Sequence, residues 1–181
     1  MDKVIKAKNI MDTIKDLLIV ILVAVLITQF IATRTRVPSG SMEPTIKIGD
    51  NLIISRISSY YREPERGEVV IFYQDKERMV KRLIGMPGEI VDLRDGYVYI
   101  NGNRLDEEAY LGEEVMTVPL YDPGYAHIDF PYIIPEDSYF FMGDNRGHSL
   151  DSRVFGAVKK DKVIAIGAYR IYPFDQLGAI Q

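Results

Sequence analysis

The strongest hydrophobic pattern in the chain lies near its N-terminus. The segment LLIVILVAVLITQFIA, residues 17–32, carries no charged side chain. Sixteen helical residues span about 24 Å, and Lys15 and Arg34 can extend their charged ends beyond a hydrocarbon layer of about 30 Å. A core helix of a soluble protein usually keeps a polar stripe, which this segment lacks. The pattern therefore predicts a membrane-spanning helix over 17–33.

The residues around this segment indicate how it is oriented. A cleaved signal peptide needs a small residue three positions before the cut, where Phe30-Ile31-Ala32 has a phenylalanine. Four lysines precede the segment and three basic residues closely follow it, which favours a cytoplasmic N-terminus. We therefore expect an uncleaved anchor, with 1–16 as a short cytoplasmic tail and 34–181 as one extracytoplasmic domain.

Beyond residue 50 the apolar residues alternate with period two and are rich in Val, Ile, Tyr and Phe, which is typical of β-strands. Asp95-Gly96 and Asn101-Gly102 are strong signals for tight hairpin turns. The soluble part is therefore predicted to be mainly β. The predicted strands are Asn51–Ser55, Glu68–Tyr73, Arg78–Ile84, Glu89–Leu93, Tyr97–Ile100, Ser138–Met142 and Lys162–Tyr172.

Residues 105–137 differ in composition from the rest of this domain. They hold nine acidic residues and only two apolar clusters. We interpret the region as an excursion from the core sheet, mostly a solvated acidic loop with one extra hairpin.

Composition narrows the possible chemistry. The net charge of −4 argues against a nucleic-acid partner. The chain has no cysteine, which excludes thiolate catalysis, disulfides and cysteine-bound metals. With only His127 and His148 present, a multi-histidine metal site is nearly excluded, and we expect neither a metal nor a cofactor.

The first polar cluster is Val37-Pro-Ser-Gly-Ser-Met-Glu-Pro44, directly after the apolar segment. Pro38 and Pro44 stiffen this loop, and Gly40 permits a sharp bend. A serine on such a bend can present both its hydroxyl and its own N–H to a substrate carbonyl. Taken alone, the segment also fits an ordinary turn.

The second polar position is Lys81, in Arg78-Met-Val-Lys-Arg-Leu-Ile84. On a strand, Met79, Lys81 and Leu83 share one face. Apolar surroundings lower the pKa of a lysine, and a neutral amine is a competent general base. A lysine that reaches solvent from an edge strand is the alternative.

The third cluster, Gly143-Asp-Asn-Arg-Gly-His-Ser-Leu-Asp-Ser-Arg153, follows an apolar strand. Ser149, Asp151 and Arg153 lie on one side of an extended chain, so Ser149 could hold a lysine amine while Asp151 and Arg153 brace it. A surface turn is the alternative. A triad of Ser41, His148 and an aspartate is also conceivable, although His148 lies out of phase with Ser149 in a glycine-rich turn.

Four motifs in this order resemble those of bacterial type I signal peptidases, most closely the Gram-positive type. The motifs are PSGSMEPT at 38–45, RGEVVIF at 66–72, KRLIGMPGE at 81–89 and GDNRGHSLDSR at 143–153, and they follow an N-terminal anchor. The resemblance implies a membrane-anchored Ser-Lys endopeptidase on an antiparallel, partly open, barrel-like β fold.

The resemblance also implies roles for individual residues. Ser41 would be the nucleophile and Lys81 the general base, with Ser39 and the Ser41 N–H forming the oxyanion hole. The supporting residues would be Ser149, Asp151, Arg153, Asp144, Asn145 and Arg146. The substrate pocket is expected to involve Val37, Pro38, Met42, Ile46, Met79 and Val80.

The implied substrates are signal peptides of secretory preproteins, cut at small-x-small sites such as Ala-x-Ala. The partners are then the preprotein and the lipid bilayer, and we expect a monomer in the cell membrane with its catalytic domain on the outer face. Two alternatives remain at this point. One is a self-cleaving protease of the repressor type, and the other is an inactive, membrane-tethered binding or assembly module.

Overall fold

A computed structural model describes residues 2–26, 32–112 and 115–180. Helix α1 spans Asp2–Leu26, so the tail predicted over 1–16 is helical from residue 2 onward. Among the described residues, no helix has the combination of length and apolar character that crossing a membrane requires. Residues 27–31 of the predicted segment 17–33 lie outside the described residues.

The predicted end of that segment was wrong, because Ala32 and Thr33 belong to a strand. Ala32–Arg36 pairs along its whole length with Asn51–Ser55, from Ala32 opposite Ser55 to Arg36 opposite Asn51. Pairing with a neighbouring strand satisfies the backbone hydrogen-bonding groups of this polar, Thr- and Arg-containing stretch, whose sequence carries no apolar alternation.

Thirteen strands and three short helices follow α1 in the described residues. The strands are β1 Ala32–Arg36, β2 Asn51–Ser55, β3 Val69–Gln74, β4 Glu77–Gly85, β5 Ile90–Arg94, β6 Tyr97–Ile100, β7 Asn103–Arg104, β8 Tyr132–Ile133, β9 Ser138–Met142, β10 Val158–Lys159, β11 Val163–Ile166, β12 Ala168–Tyr172 and β13 Gly178–Ile180. The helices are α2 Ser58–Tyr61, α3 Glu108–Leu111 and α4 Ser152–Phe155, and Lys160–Lys162 and Phe174–Gln176 form 3₁₀ turns.

The described strands form three antiparallel sheets. Their orders are β1-β2-β12-β13, β10-β9-β4-β3-β11 and β7-β6-β5-β8. The mainly β domain predicted from the alternating pattern is thus confirmed, and so is the antiparallel pairing that the resemblance implied. Strands β3 and β4 lie at the centre of the five-stranded sheet, and they are joined by a tight hairpin in which Gln74 faces Glu77.

The stretch predicted as one strand, Lys162–Tyr172, is two strands in different sheets. Strand β11 pairs with β3, whereas β12 pairs with β2. Gly167 lies between them with φ +75°, a conformation that glycine adopts without strain, and its N–H donates to Val69 O at 2.8 Å. The chain therefore passes from one sheet to the next at Gly167, which a continuous apolar pattern cannot reveal.

Both predicted tight turns are present. Asp95 and Gly96 have φ of 51° and 82°, and Asn101 and Gly102 have φ of 51° and 83°. Two consecutive residues with positive φ characterise the type I′ turn, whose twist matches that of the flanking strands. These turns connect β5 to β6 and β6 to β7.

The region 105–137 is more closely attached to the domain than a solvated loop would be. Leu111 and Ile134 are buried, and the side chain of Thr117 is also buried. Strand β8 pairs with β5 instead of forming a separate hairpin within the described part of this region. The predicted extra hairpin was therefore wrong for the residues that the structure describes.

Among the described residues, buried side chains form three apolar clusters around the central sheet. One lies between the β1-β2 side and the central strands, and its members include Val37, Met42 and Ile46 from the serine-containing loop. A second includes Phe72, Leu83 and Phe141, with Met79 packed against it. These two clusters hold the serine loop and strand β4 in fixed relative positions.

Candidate active site

The serine motif forms a compact turn at the edge of the first cluster. Val37 and Asp50 are joined by a backbone hydrogen bond of 2.9 Å, and Ile46 N donates to Met42 O at 2.8 Å. The side chains of Met42 and Ile46 are almost completely buried. Apolar packing on both sides of the turn therefore fixes Ser41, which itself remains partly accessible.

Strand β4 carries Lys81 to this serine. Lys81 Nζ lies 2.5 Å from Ser41 Oγ, within hydrogen-bonding distance, although 40 residues separate them in sequence. Only 4% of the lysine is exposed. Met79 and Leu83, which share its face of the strand, both pack with the second apolar cluster, as the alternation predicted.

Burial sets the proton affinity of this amine. Desolvation lowers the pKa of Lys81 from 10.5 to about 8, while the nearby charges of Asp151 and Asp144 act to raise it and that of Arg153 acts to lower it. A charged ammonium loses hydration in this position, so the neutral amine is favoured. A substantial fraction of neutral lysine is therefore present at mildly alkaline pH.

The Asp144 carboxylate, whose charge acts on the pKa of Lys81, is itself paired with Arg82. Arg82 Nε donates to Oδ1 at 2.9 Å and Nη2 donates to Oδ2 at 2.7 Å. The hydroxyl of Thr45 also donates to Oδ2, at 2.5 Å. Thr45 is the last residue of the motif PSGSMEPT, so this ion pair connects β4, the serine loop and the last motif.

Asp151 and Arg153 form a second ion pair that is fully buried. Arg153 Nη2 donates to Asp151 Oδ2 at 2.8 Å and Nε donates to Oδ1 at 2.9 Å. The same carboxylate caps α4 by accepting from Arg153 N and also accepts from Gly143 N at 3.0 Å. The bracing role expected for these two residues fits this geometry.

Asn145 and Arg146 hold the last motif in position. Asn145 N donates to Ser41 O at 3.1 Å, and its side-chain amide donates to Gly40 O at 3.0 Å. Arg146, which is 1% exposed, donates through Nε to Gly143 O at 3.0 Å. The turn at 143–146 is thus hydrogen-bonded directly to the backbone carbonyl groups of Gly40 and Ser41.

Ser149 is buried beside this turn, but its hydroxyl forms no hydrogen bond with the described residues. The contact with the lysine amine that the spacing suggested is therefore not formed in the structure. A Cβ added at Gly143 would overlap both Ser149 Oγ and the carbonyl oxygen of Ser41. Only a glycine at 143 allows the serine loop and Ser149 to come so close.

An open groove of about 840 Å³ runs past Ser41 and Lys81. All six residues expected to form the substrate pocket line it, and so does the exposed Ser39. The groove residues that the sequence did not suggest are Thr35, Arg36, Ile54, Ile71, Tyr73, Lys76, Glu77, Arg78 and Leu150. Its floor is apolar where Met42 and Ile46 are buried, and its outer end carries exposed charged side chains.

The histidines do not take part in the Ser41 contact. His148 is exposed and lines the groove, but no hydrogen bond joins it to Ser41 in the described structure. His127 lies in the 105–137 region, 3.3 Å from Asp129. Within the described ranges, no group of three or more Asp, Glu or His side chains is placed to hold a metal ion.

Sequence reasoning missed the partners of the buried charges. Arg82, Thr45, Glu107 and Thr117 all hydrogen-bond to charged residues of the last motif. The one sequence signal for Arg82 was its place between Val80 and Ile84 on one face of the strand, since a charge that is buried among apolar neighbours requires a partner. The identity of that partner, 62 residues away, was not visible in any local pattern.

Comparisons with known proteins find the same family that the four sequence motifs suggested. The family model described as signal peptidase, peptidase S26, matches residues 10–172. A probable signal peptidase I-2 from Synechocystis sp. is 36% identical over 174 residues, which cover 92% of this chain and 75% of that protein. Signal peptidase I S from Bacillus subtilis is 33% identical over 180 residues, covering 97% of this chain and 96% of that one.

Among solved structures, a crystal structure of a signal peptidase I from Enterococcus faecalis is similar. It is 35% identical in sequence, with a TM-score of 0.47, and the match covers 58% of this chain and 97% of that one. The family match and the two relatives each extend over most of the chain, including all four motifs. The chain therefore belongs to the signal peptidase family, peptidase S26, and is a serine peptidase of that family.

Proposed function

We propose that this protein is a membrane-anchored serine endopeptidase that removes N-terminal signal peptides from exported preproteins. The observation that carries the proposal is the 2.5 Å separation of Lys81 Nζ and Ser41 Oγ in a buried setting. A serine hydroxyl is a weak nucleophile unless a neighbouring base takes its proton. A desolvated amine with a pKa of about 8 has the properties that this base requires.

The mechanism uses one serine and one lysine. Neutral Lys81 takes the proton of the Ser41 hydroxyl while Oγ attacks the scissile carbonyl carbon, which leaves a negative charge on the carbonyl oxygen. The resulting ammonium then gives its proton to the leaving amine as the peptide bond breaks, and an acyl-enzyme remains. Lys81 next takes a proton from water while the water oxygen attacks the ester carbon, and the resulting ammonium gives this proton to Ser41 Oγ as the bond between Oγ and the acyl carbon breaks, which releases the carboxylic acid product.

The developing oxyanion needs hydrogen-bond donors, and we assign this role to the Ser39 hydroxyl and the Ser41 N–H. Ser39 is exposed and lines the same groove as Ser41. Removing one such donor typically lowers the rate by about 10²–10³-fold. Ser149 would hold the lysine amine during the reaction, because its buried hydroxyl has no other partner in the part of the chain that the structure describes.

The groove suits an extended peptide with small side chains near the cut. Its apolar wall contains Val37, Met42, Ile46 and Val80, and Lys81 lies beside it. Strand β4 pairs with β9 only from Arg82 to Gly85, so the other edge of residues 77–81 has no partner strand in the described structure and can pair with an extended peptide. We therefore assign cleavage at small-x-small sites such as Ala-x-Ala.

We further propose that the apolar segment that begins at residue 17 contains a single-pass anchor, with the N-terminus in the cytoplasm and the catalytic domain on the outer face. The support is the uncharged apolar stretch and the lysine excess that precedes it. Confining enzyme and signal peptide to one bilayer raises their effective concentration without added affinity. We assign the monomer as the active form, with no cofactor, no metal and no nucleic-acid partner.

The test uses detergent-solubilised full-length protein and a preprotein with an Ala-x-Ala site. Wild type is compared with Ser41→Ala, Lys81→Ala and His148→Ala, and mass spectrometry identifies the new N-terminus. We expect the first two variants to be inactive, His148→Ala to remain active and the cut to follow the second alanine. Activity that survives Lys81→Ala but not His148→Ala would show that a histidine is the base.

A further inference from the structure

Glu107, in the region 105–137, forms a buried contact with the last motif. Its carboxylate accepts hydrogen bonds from Arg146 Nη2 at 2.5 Å and from Arg146 Nη1 at 3.1 Å. The Glu107 side chain is 11% exposed, and that of Arg146 is completely buried. Thr117, from the same region, accepts from Nη1 at 2.6 Å. The two terminal nitrogens of an arginine carry four of its five N–H donors. Glu107 and Thr117, both in the region 105–137, therefore supply the acceptors for these nitrogens.

Tyr110 links Glu107 to a second buried arginine. Its hydroxyl donates to Glu107 Oε1 at 2.8 Å, and its ring lies under the guanidinium of Arg82, 3.9 Å from the ring centre. A guanidinium over an aromatic face is attracted by the electron density of that face. Glu107 and Tyr110 together therefore contact both Arg82 and Arg146.

Both arginines act on the same short turn. Arg146 donates to Gly143 O at 3.0 Å, and Arg82 binds the carboxylate of Asp144 through two hydrogen bonds. The following residue, Asn145, donates from its backbone to Ser41 O and from its side chain to Gly40 O. A shift of Glu107 or Tyr110 therefore moves the guanidinium of Arg146 or Arg82, and through it the turn that is hydrogen-bonded to the serine loop.

We propose that Glu107 and Tyr110 are positioning residues for the reaction at Ser41, holding Arg146 and Arg82 and through them the 143–145 turn against the serine loop. Neither residue touches the groove beside Ser41, whose lining comes from other segments. The proposal rests on the proposed function, because it concerns the rate of that peptidase reaction. It assigns a role in activity to a region whose acidic composition suggested only a solvated loop.

The position outside the groove makes a specific kinetic prediction. Glu107→Gln keeps the size of the side chain but removes the charge that faces Arg146. We expect kcat to fall about tenfold, since small misplacements of reacting groups have effects of this size or larger. KM should stay within about twofold, because the substrate contacts are unchanged.

Two variants of Tyr110 distinguish the effect of its aromatic ring on the Arg82 guanidinium from the effect of merely filling the space with an apolar side chain. Tyr110→Phe keeps the ring under Arg82 and loses only the hydroxyl, whereas Tyr110→Leu keeps an apolar side chain and loses the ring. We expect Tyr110→Phe to retain most of the wild-type kcat and Tyr110→Leu to lose it about tenfold. The matched control is Glu108→Gln, an exposed neighbour with no part in this network, which should behave as wild type.

The experiment measures kcat and KM on an Ala-x-Ala peptide with full-length protein in detergent, and thermal unfolding gives the folded fraction at the assay temperature. Lower kcat per folded molecule with unchanged KM for Glu107→Gln and Tyr110→Leu supports the proposal. Wild-type kcat per folded molecule in both variants overturns it, and so does equal loss in the Phe and Leu variants. If Glu107→Gln does not fold, the Tyr110 pair decides. If the wild-type protein cleaves no more substrate than Ser41→Ala does, the proposed function itself is overturned. If the wild-type protein is active and the variants are unaffected, only the positioning role is overturned.

Discussion

Arg82 and Asp144 form a two-hydrogen-bond ion pair whose side chains are 2% and 0% exposed. The pair lies between strand β4, which carries Lys81, and the turn that is bonded to Ser41 O. Desolvation of two charges in this position is offset only while both partners are present. The two halves of the candidate site are therefore joined by a contact that does not tolerate the loss of one member.

Breaking this pair should destabilise the protein strongly. For Arg82→Met we expect the free energy of unfolding to fall by about 3–5 kcal/mol, because the Asp144 carboxylate remains buried without its counter-charge. Arg62→Met is the matched control, since the Arg62–Glu68 pair is partly exposed at 43% and 31% and should contribute at most about 1 kcal/mol. Chemical denaturation in detergent, followed by near-ultraviolet circular dichroism, measures both values. Equal losses in the two variants would contradict the argument.

Gly143 should not accept a side chain. In Gly143→Ala the new Cβ would overlap the Ser41 carbonyl oxygen and Ser149 Oγ, so the serine loop must move away from the turn. A displacement near 1 Å commonly costs about 10²-fold in rate, and we expect at least this loss in kcat. Gly147→Ala is the control, because a Cβ at 147 meets no atom within 4 Å. Steady-state peptidase assays compare the two, and a Gly143→Ala enzyme of normal kcat would show that the loop adapts without cost.

Activity should depend on pH through Lys81. Because the ammonium form cannot accept the serine proton, kcat/KM is expected to rise with pH and to reach half its maximum near the pKa of about 8. The measurement is kcat/KM on a small-x-small peptide between mildly acidic and alkaline pH. A profile that is flat over this range would argue against a lysine base.

The same burial predicts a change in stability with pH. Below the folded-state pKa of about 8 the lysine is charged in both states, and the folded protein bears the full cost of burying the ammonium. Between about 8 and the ordinary lysine pKa of 10.5 the unfolded chain binds the proton that the folded chain has lost, so stability rises with pH. The corresponding free energy is about 3 kcal/mol.

Lys81→Met should consequently be more stable than wild type at pH 7, and this advantage should shrink as the pH approaches 10. Other groups titrate in both proteins, so the difference between the two unfolding curves isolates the lysine. Denaturant titrations at several pH values give this difference. A stability difference that does not change with pH would mean that the lysine is not desolvated as described.

Ser149→Ala should separate stability from activity. The buried Ser149 hydroxyl has no hydrogen-bond partner among the described residues, so removing it should leave stability unchanged or raise it by up to about 1 kcal/mol. If Ser149 orients the lysine amine during catalysis, kcat should still fall by about tenfold or more. Thermal unfolding and kinetics on the same preparation test both parts. Unchanged kcat would remove Ser149 from the proposed machinery.

Much of the fold was predictable because its strands carry local signals. Asn51–Ser55, Tyr97–Ile100 and Ser138–Met142 were predicted with the bounds that the structure shows. Their apolar alternation and turn residues act within a few positions, so a local pattern suffices. Strand β1 has no such pattern and depends on pairing with β2, and for this reason its first residues were assigned to the preceding helix.

The candidate site was predictable only in part, for a similar reason. Alternation along β4 placed Lys81 on an apolar face, and the bend around Gly40 suggested a presented serine. Their contact joins residues 40 positions apart, and the motif order of the family suggested it. Arg82 and Glu107 were missed because each is recognisable only by a buried partner far along the chain. Arg82 pairs with Asp144, and Glu107 pairs with Arg146.

The way in which distant segments hold the site has a consequence for the newly made protein. A nascent chain that has emerged to residue 82 already contains both proposed catalytic side chains, but it lacks the 143–153 segment that bonds to the serine loop and neutralises Arg82. Contacts between such distant segments form late in folding, after the intervening chain has been ordered. The nascent chain should therefore stay inactive at least until residues 143–153 have been translated and have bonded to the serine loop.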